Sequence, residues 1–289
     1  MALKVLLMPI ATIFQFLLPR WLAIRLAVVL GNICFILMKQ RRERIYDNLG
    51  YILGSTAVKN IRHYARKLFV NYAICMTDLL RAPLLTKEKL LAMIRFNDYN
   101  NFNQALAKGK GAILCTAHIG NWDLAGVFLS RIGYPLVAAV EPIGQGMTEA
   151  FNRYRGTTGM KLVSLNDTHN LVKSLTEKKV LVLLADRDLT GHGIELPVFD
   201  AKRSFPKGPA IFALRYNIPI LFGYFVLNSK QNKPYFCGIE PEINFPKTDK
   251  FKQDVYTLTE IIAKRINRLI QEYPDQWFVF QADWQLKGN

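Results

Sequence analysis

Cysteine is scarce in this chain and wrongly spaced for its usual structural uses. Cys34, Cys75, Cys115 and Cys237 are the only four in 289 residues; none forms a CxxC pair or a finger spacing, which excludes a zinc ribbon and a disulfide framework. They read as reduced core thiols facing a cytoplasmic environment. Acidic residues are also few, 22 against 38 Lys and Arg, and the formal charge of +16 calls for an anionic partner. There is no GxSxG nucleophile elbow, no GxxxxGK[ST] phosphate loop, no internal repeat and no low-complexity linker. With 51% hydrophobic residues and a mean hydropathy of +0.09, the composition suits a membrane-associated protein better than a nucleic-acid binder.

The N-terminus carries the apolar runs. Residues 5–18 are almost wholly apolar but contain Pro9, and 14 residues are too few to span a bilayer core of about 30 Å. No A-x-A-type site follows that run, which argues against a removed signal peptide. Residues 21–38 are longer but contain Arg25, and the basic cluster 39–44 follows at once, as a cytoplasmic flank would. A single tilted span and helices lying in the interface both fit, with interfacial attachment preferred. The expected organisation is hydrophobic, membrane-associating helices over 1–40 and one globular domain over 41–289.

Past residue 40 the periodicity predicts helices over 43–53, 59–80 and 101–108. From Gly111, strands and helices alternate: strands at 112–116, 136–140, 162–164 and 180–185, with helices over 122–131, 147–155 and 169–177 between them. A helix over 209–216, strands at 218–226 and 235–239, a long helix over 254–271 and a last strand at 277–281 complete the reading. This order predicts an α/β fold, a mixed but largely parallel sheet flanked by helices, with active groups at the carboxyl ends of strands.

The most informative stretch is GAILCTAHIGNWD, which runs from an apolar strand into His118 and, five residues on, into Asp123. On an unbroken helix that offset is about 140° around the axis, so the chain must turn between them. Gly120 permits the turn, Asn121 is a good N-cap, and Asp123 then falls in a first helical turn, where the dipole favours its ionised form. A carboxylate accepting Nδ1–H would leave His118 Nε2 free to take a proton from an alcohol. A buried histidine tied to a helix cap would show the same spacing.

A second polar cluster, Asp186-Arg187-Asp188 through Gly191-His192-Gly193 to Glu195, follows the apolar strand 180–185. Arg187 suits a phosphate or carboxylate through its planar fork. Glu195 would reach His118 if this segment folds over the strand ends, although it also alternates with Ile194 and Leu196 as an exposed strand residue does. Asp186, Asp188 and His192 offer too few nitrogen ligands for a convincing metal site, and none is expected. A third patch, Lys202, Arg203 and Lys207 ahead of Gly208, reads as a basic loop able to bind an anion, or as a merely solvated one.

Taken together, GAILCTAHIGNWDLAG, the strand ending in LLADRD with Gly193 and Phe199 beyond it, and FPKGPAIFALRYNIPIL resemble the bacterial lysophospholipid-acyltransferase superfamily. The nearest branch holds the late lauroyl and myristoyl acyltransferases of lipid A biosynthesis together with the phosphatidylinositol mannoside acyltransferases. The resemblance extends over most of the chain from about Arg41, with three motifs in order. It implies a glycerolphosphate-acyltransferase-like fold, His118 as general base, Asp123 as the His-x4-Asp/Glu acid, and Asn121 and Trp122 as motif positions near substrate. Arg187 falls in the block bordering the active site, and Glu195 resembles the acid that pairs with the histidine in the mannoside branch. Many lipid A enzymes have Glu where this chain has Asp123, and Asp-Arg-Asp is closer to the mannoside branch.

The implied reaction is acyl transfer from acyl carrier protein or coenzyme A to a hydroxyl of a membrane glycolipid. A lipid A precursor is favoured as acceptor, with a phosphatidylinositol mannoside or another (lyso)phospholipid as the alternative. No bound cofactor is implied. The expected partners are an anionic membrane surface, the acyl donor and the glycolipid, not nucleic acid, at the cytoplasmic face of a bacterial inner membrane. A lipid hydrolase and a non-catalytic membrane-binding protein stay open at this point; the first would release free fatty acid, the second would turn over nothing.

Overall fold

The computed structural model describes residues 18–54, 60–141, 159–228, 233–281 and 284–286. Three helices lead: α1 (Arg20–Leu37), α2 (Lys39–Leu53) and α3 (Ile61–Leu80). α1 buries a stripe of small residues, Ala23, Ala27 and Gly31, ending in Phe35. A Cβ at Gly31 would stand 2.7 Å from the Val70 Cα, so glycine is what lets α1 approach α3 so closely. The opposite face of α1 leaves Trp21, Val29, Leu30, Ile36 and Leu37 exposed. Phe35 joins the main core, so α1 packs on the domain rather than standing off it.

A short helix α4 (Lys87–Met93), N-capped by the Thr86 side chain, leads into β1 (Ile94–Phe96) and α5 (Tyr99–Ala107). Then come β2 (Ala112–Thr116), α6 (Trp122–Arg131), β3 (Leu136–Val140), β4 (Lys161–Ser164), α7 (Thr168–Thr176) and β5 (Val180–Leu184). They are followed by β6 (Ile194–Val198), β7 (Ala201–Phe205), α8 (Gly208–Tyr216), β8 (Ile220–Leu227), β9 (Tyr235–Ile239), α9 (Phe251–Glu272) and β10 (Gln285–Leu286). The main sheet has the order β1-β9-β8-β2-β5-β3-β4, and every pairing in it is parallel except β8 with β9. The expected mixed, largely parallel α/β sheet is therefore the one observed. A second antiparallel sheet, β10-β7-β6, stands beside it.

Three features differ from expectation. The patch around Lys202 and Arg203 is strand β7, not a loop, because Ala201, Arg203 and Phe205 alternate inward against β6. Residues 277–281 do not form a strand; Trp277 makes a single bridge to Ile119, and the Phe278 N–H donates to the His118 carbonyl at 2.8 Å. α4 and β1 are too short to carry a periodic signal. The expected helix over 147–155 and the apolar run up to residue 17 lie outside the described residues. All four cysteines are free thiols, three of them buried.

Candidate active site

The site grows from the adjacency of two parallel strands. β2 and β5 pair in register, with Ala112 opposite Val180 and Thr116 opposite Leu184. Both are continuous apolar runs, as a parallel strand buried on both faces must be. Two residues beyond the carboxyl end of β2 stands His118, and two beyond the end of β5 stands Asp186. Their side chains meet, His118 Nδ1 lying 2.8 Å from Asp186 Oδ1. The other carboxylate oxygen accepts the His118 backbone N–H at 3.1 Å and Trp277 Nε1–H at 2.9 Å.

Asp186 is fully buried, yet it is ionised. Burial alone would push its carboxyl upward; the His118 ring, the hydrogen bonds from His118 and Trp277, and the charge of Arg203 outweigh this and hold it well below the usual carboxylate range. A carboxylate can only accept, so the neutral ring must carry its proton on Nδ1. That leaves Nε2 with a lone pair on a side chain 21% exposed, enough for a reactant to reach it.

The loop after β2 is held on three sides. The Gly120 N–H donates to the Gln276 carbonyl at 2.9 Å, the Asn121 N–H to the Phe225 carbonyl at 2.8 Å, and Phe278 closes on the His118 carbonyl. Gly120 sits at φ +60, and a Cβ there would come within 1.9 Å of the Phe225 carbonyl oxygen, so no other residue fits. Asn121 caps α6 by accepting from Leu124 N, while its amide donates to the Cys75 carbonyl and Tyr235 Oη. It is buried, and its side chain is engaged within the fold. Trp122 packs against the His118 ring, with centroids 5.1 Å apart.

The sequence placed two other carboxylates beside His118, and the structure arranges them differently. Asp123 is buried in the first turn of α6 as expected, near enough to Tyr72 to add to the rise that burial imposes on that phenol. The Nδ1 partner, however, is Asp186. Glu195 is exposed on β6, opposite Ser204 in the hairpin register, so its alternation with Ile194 and Leu196 decided its direction. Arg187 lies beside the site, donating to Gln281 Oε1 at 2.6 Å, with Glu141 at 3.7 Å. Asp188 accepts from Thr190, Gly193 and Ser204 and so ties the β6–β7 hairpin together, while His192 is exposed. Lys202 and Lys207 are exposed; Arg203, expected to contact an anionic substrate, is fully buried behind Asp186 and donates to its backbone carbonyl at 2.7 Å. Sequence reasoning missed Trp277 altogether; an indole expected in a strand gave no sign that it would serve as a donor.

Next to the dyad, a narrow apolar slot runs between α6 and the sheet. Trp122, Ala125 and Gly126 line it from the helix, and Leu114, Thr116 and Gly223 from the strands. Trp122, which packs on the His118 ring, is shared between the slot and the dyad.

Comparison with known proteins gives likenesses in sequence and in structure. A family model described as bacterial lipid A biosynthesis acyltransferase matches residues 4–286. A phosphatidylinositol mannoside acyltransferase from Mycolicibacterium smegmatis is 26% identical over 252 residues, covering 84% of this chain and 79% of that protein. The protein of the same name from Mycobacterium tuberculosis is 26% identical over 254 residues, covering 84% and 77%. Among solved structures, the 1-acyl-sn-glycerophosphate (LPA) acyltransferase PlsC from Thermotoga maritima is 12% identical with a TM-score of 0.40, covering 90% of this chain and all of that one.

Proposed function

This chain belongs to the bacterial lipid A biosynthesis acyltransferase family, and we propose that it moves a fatty acyl chain from a thioester donor to a hydroxyl of a membrane glycolipid, with His118 as general base. The observation that carries this reading is the His118 ring, held through Nδ1 by the buried Asp186 carboxylate with Nε2 on a part-exposed side chain. The acceptor hydroxyl gives its proton to Nε2 as its oxygen attacks the thioester carbonyl; the C–S bond then breaks, and the departing thiolate takes the proton back from the imidazolium. No covalent enzyme intermediate is needed. General-base assistance of this kind contributes ~10²–10⁴-fold. The acyl chain enters the slot, and Arg187 faces a phosphate of the acceptor or of the donor, either acyl carrier protein or acyl coenzyme A.

The family description favours a lipid A precursor as acceptor. The names of the mycobacterial relatives favour a second reading, a phosphatidylinositol mannoside. Both are phosphorylated glycolipids, which suits the net charge of +16.

α1 attaches the protein to the bilayer surface without crossing it. Among the described residues it is the one helix long and apolar enough to span. It lies packed along α3, whose Arg62, His63, Arg66 and Lys67 are exposed. A spanning α1 would draw those groups into the hydrocarbon, whereas an in-plane α1 presents its apolar face to lipid and leaves them in water.

The test incubates purified protein with acyl carrier protein and coenzyme A thioesters and vesicles carrying either acceptor, followed by lipid mass spectrometry. A new lipid heavier by one acyl group, absent with His118→Ala, is the expected result. Free fatty acid alone, or unchanged turnover by folded His118→Ala, overturns the reading.

A further inference from the structure

Among the described residues, Arg203 is the one Lys or Arg that the fold has taken fully out of water, and the reaction written above makes no use of it. Its Nη2 donates to the Asp186 backbone carbonyl at 2.7 Å. Its Cζ lies 4.6 Å from the ring centroid of Trp277, 5.0 Å from Trp284 and 5.3 Å from Phe205. Trp277 is the residue whose indole N–H holds the Asp186 carboxylate. Cation, indole and carboxylate therefore form one packed unit behind the histidine.

Charge balance gives that unit a purpose. A buried carboxylate needs a counter-charge, and without one it either takes up a proton or forces one onto the nearest base. With His118 as its only counter-ion, the Asp186 charge would favour the protonated ring, and a protonated ring cannot accept a proton from an alcohol. We propose that Arg203 is a positioning residue whose buried guanidinium supplies the counter-charge for Asp186, letting the carboxylate stay ionised while the His118 ring is neutral and Nε2 is open. The Trp277 and Trp284 faces stabilise a guanidinium where no water reaches it, and Arg suits this role because it stays charged when buried.

The other charged groups around the pair do not replace it. On the β5 side Arg187 is turned toward Gln281 and Glu141, the latter just past β3. From α6 comes Asp123, an anion, with Tyr72 of α3 and Arg41 of α2 beyond it. Asp188 is tied to Ser204 and the hairpin turn. Among the described residues, Arg203 is the cation hydrogen-bonded to Asp186, through that residue's backbone carbonyl, and its charge acts on the carboxylate across the Trp277 contact.

This inference rests on the general-base reading for its consequence in turnover, but its physical content can be read without turnover. NMR titration of the four histidine rings in the full chain, with His118 assigned by loss of its signal in His118→Gln, gives the pH at which the ring takes up its proton. Arg203→Gln keeps an amide donor for the Asp186 carbonyl and drops the charge; in it, protonation of the His118 ring moves to higher pH by about one unit. Arg203→Lys keeps the charge and moves it by less than half as much. In kcat/KM profiles, the acid limb of Arg203→Gln moves upward by the same amount, and activity returns as pH is raised, which loss of folding would not allow. An Arg203→Gln ring that titrates where the unsubstituted one does, or an Arg203→Lys shift as large as that of Arg203→Gln, overturns the inference. If the NMR shift appears while the unsubstituted protein transfers no acyl group, the counter-charge stands and the acyltransfer reading falls. Where Arg203→Gln is not recovered folded, Arg203→Met takes its place with the same expectation.

Discussion

Replacing Asp186 with asparagine changes few atoms and tests the site most sharply. The carboxylate receives three N–H groups: His118 Nδ1–H on one oxygen, and the His118 backbone and Trp277 Nε1 on the other. An asparagine has one oxygen to offer. Two donors converge on the Oδ2 position, so the amide oxygen belongs there, and the NH2 then faces His118 Nδ1. An NH2 donates, so Nδ1 must become the acceptor and the ring proton must move to Nε2, the atom that takes up the acceptor's proton in the proposed reaction. The arrangement stays packed while the base is lost, and the decrease in kcat is expected to be about 10³–10⁴-fold, as in other histidines held in the wrong tautomer. Single-turnover acyl transfer into glycolipid vesicles measures it, with circular dichroism confirming the fold. Because the two residues act as one unit, His118→Ala combined with Asp186→Asn should be no slower than His118→Ala alone. Folded Asp186→Asn with a tenth or more of normal kcat would refute the assignment of Asp186 as the group that sets the tautomer.

Gly120→Ala places a methyl against the Phe225 carbonyl at a positive φ; the cost is ~2–3 kcal/mol, seen as a fall in melting temperature of roughly 5 °C together with lost turnover. The depressed Asp186 carboxyl contributes stability that is fully present above the unfolded-state value near 3.9 and is lost as pH falls below it toward the folded-state value; denaturant midpoints measured from pH 6 down to pH 2 should drop more steeply for the unsubstituted protein than for Asp186→Asn. Changing Ile36 and Leu37 of α1 together to Glu removes about 3 kcal/mol or more of lipid burial, so sedimentation with anionic vesicles should weaken by ~10²-fold while the fold holds, both side chains being exposed, at 67% and 74%. Ala125→Leu adds bulk to the slot wall, and a mixed-donor assay should show the preferred acyl chain shortened by about two carbons with little change in kcat on the shorter donor.

Much of the fold was readable because local signals coincided with tertiary demands. β2, α6, β3 and β9 fall where the residue pattern puts them, and α6 has both its Asn121 cap and Gly133 just past its end to mark it. β7 was hidden by an exception to the rule that cations stay outside. Ala201, Arg203 and Phe205 occupy the inward positions, and an inward arginine breaks the alternation that would have announced a strand. The same exception misdirected the basic patch: two of its three cations are solvated as such a run predicts, and the third is the buried counter-charge of the site.

The partner of His118 escaped for a different reason. A search along the chain weighs carboxylates by their distance in sequence, and Asp123 lies nearest; a parallel sheet instead brings together whatever follows the ends of neighbouring strands. Ala112–Thr116 and Val180–Leu184 have equal length, and each is followed by one alanine and then a polar residue, Ala117 and His118 after one, Ala185 and Asp186 after the other. That equality is visible in the sequence, but the adjacency of β2 and β5, with β3 and β4 lying between them along the chain, is not. Once the strands neighbour each other, register does the rest. A one-residue slip of β5 against β2 would turn Asp186 away from His118 and send every β5 side chain to the opposite face of the sheet, so the packing that fixes the register also keeps Asp186 on His118 Nδ1.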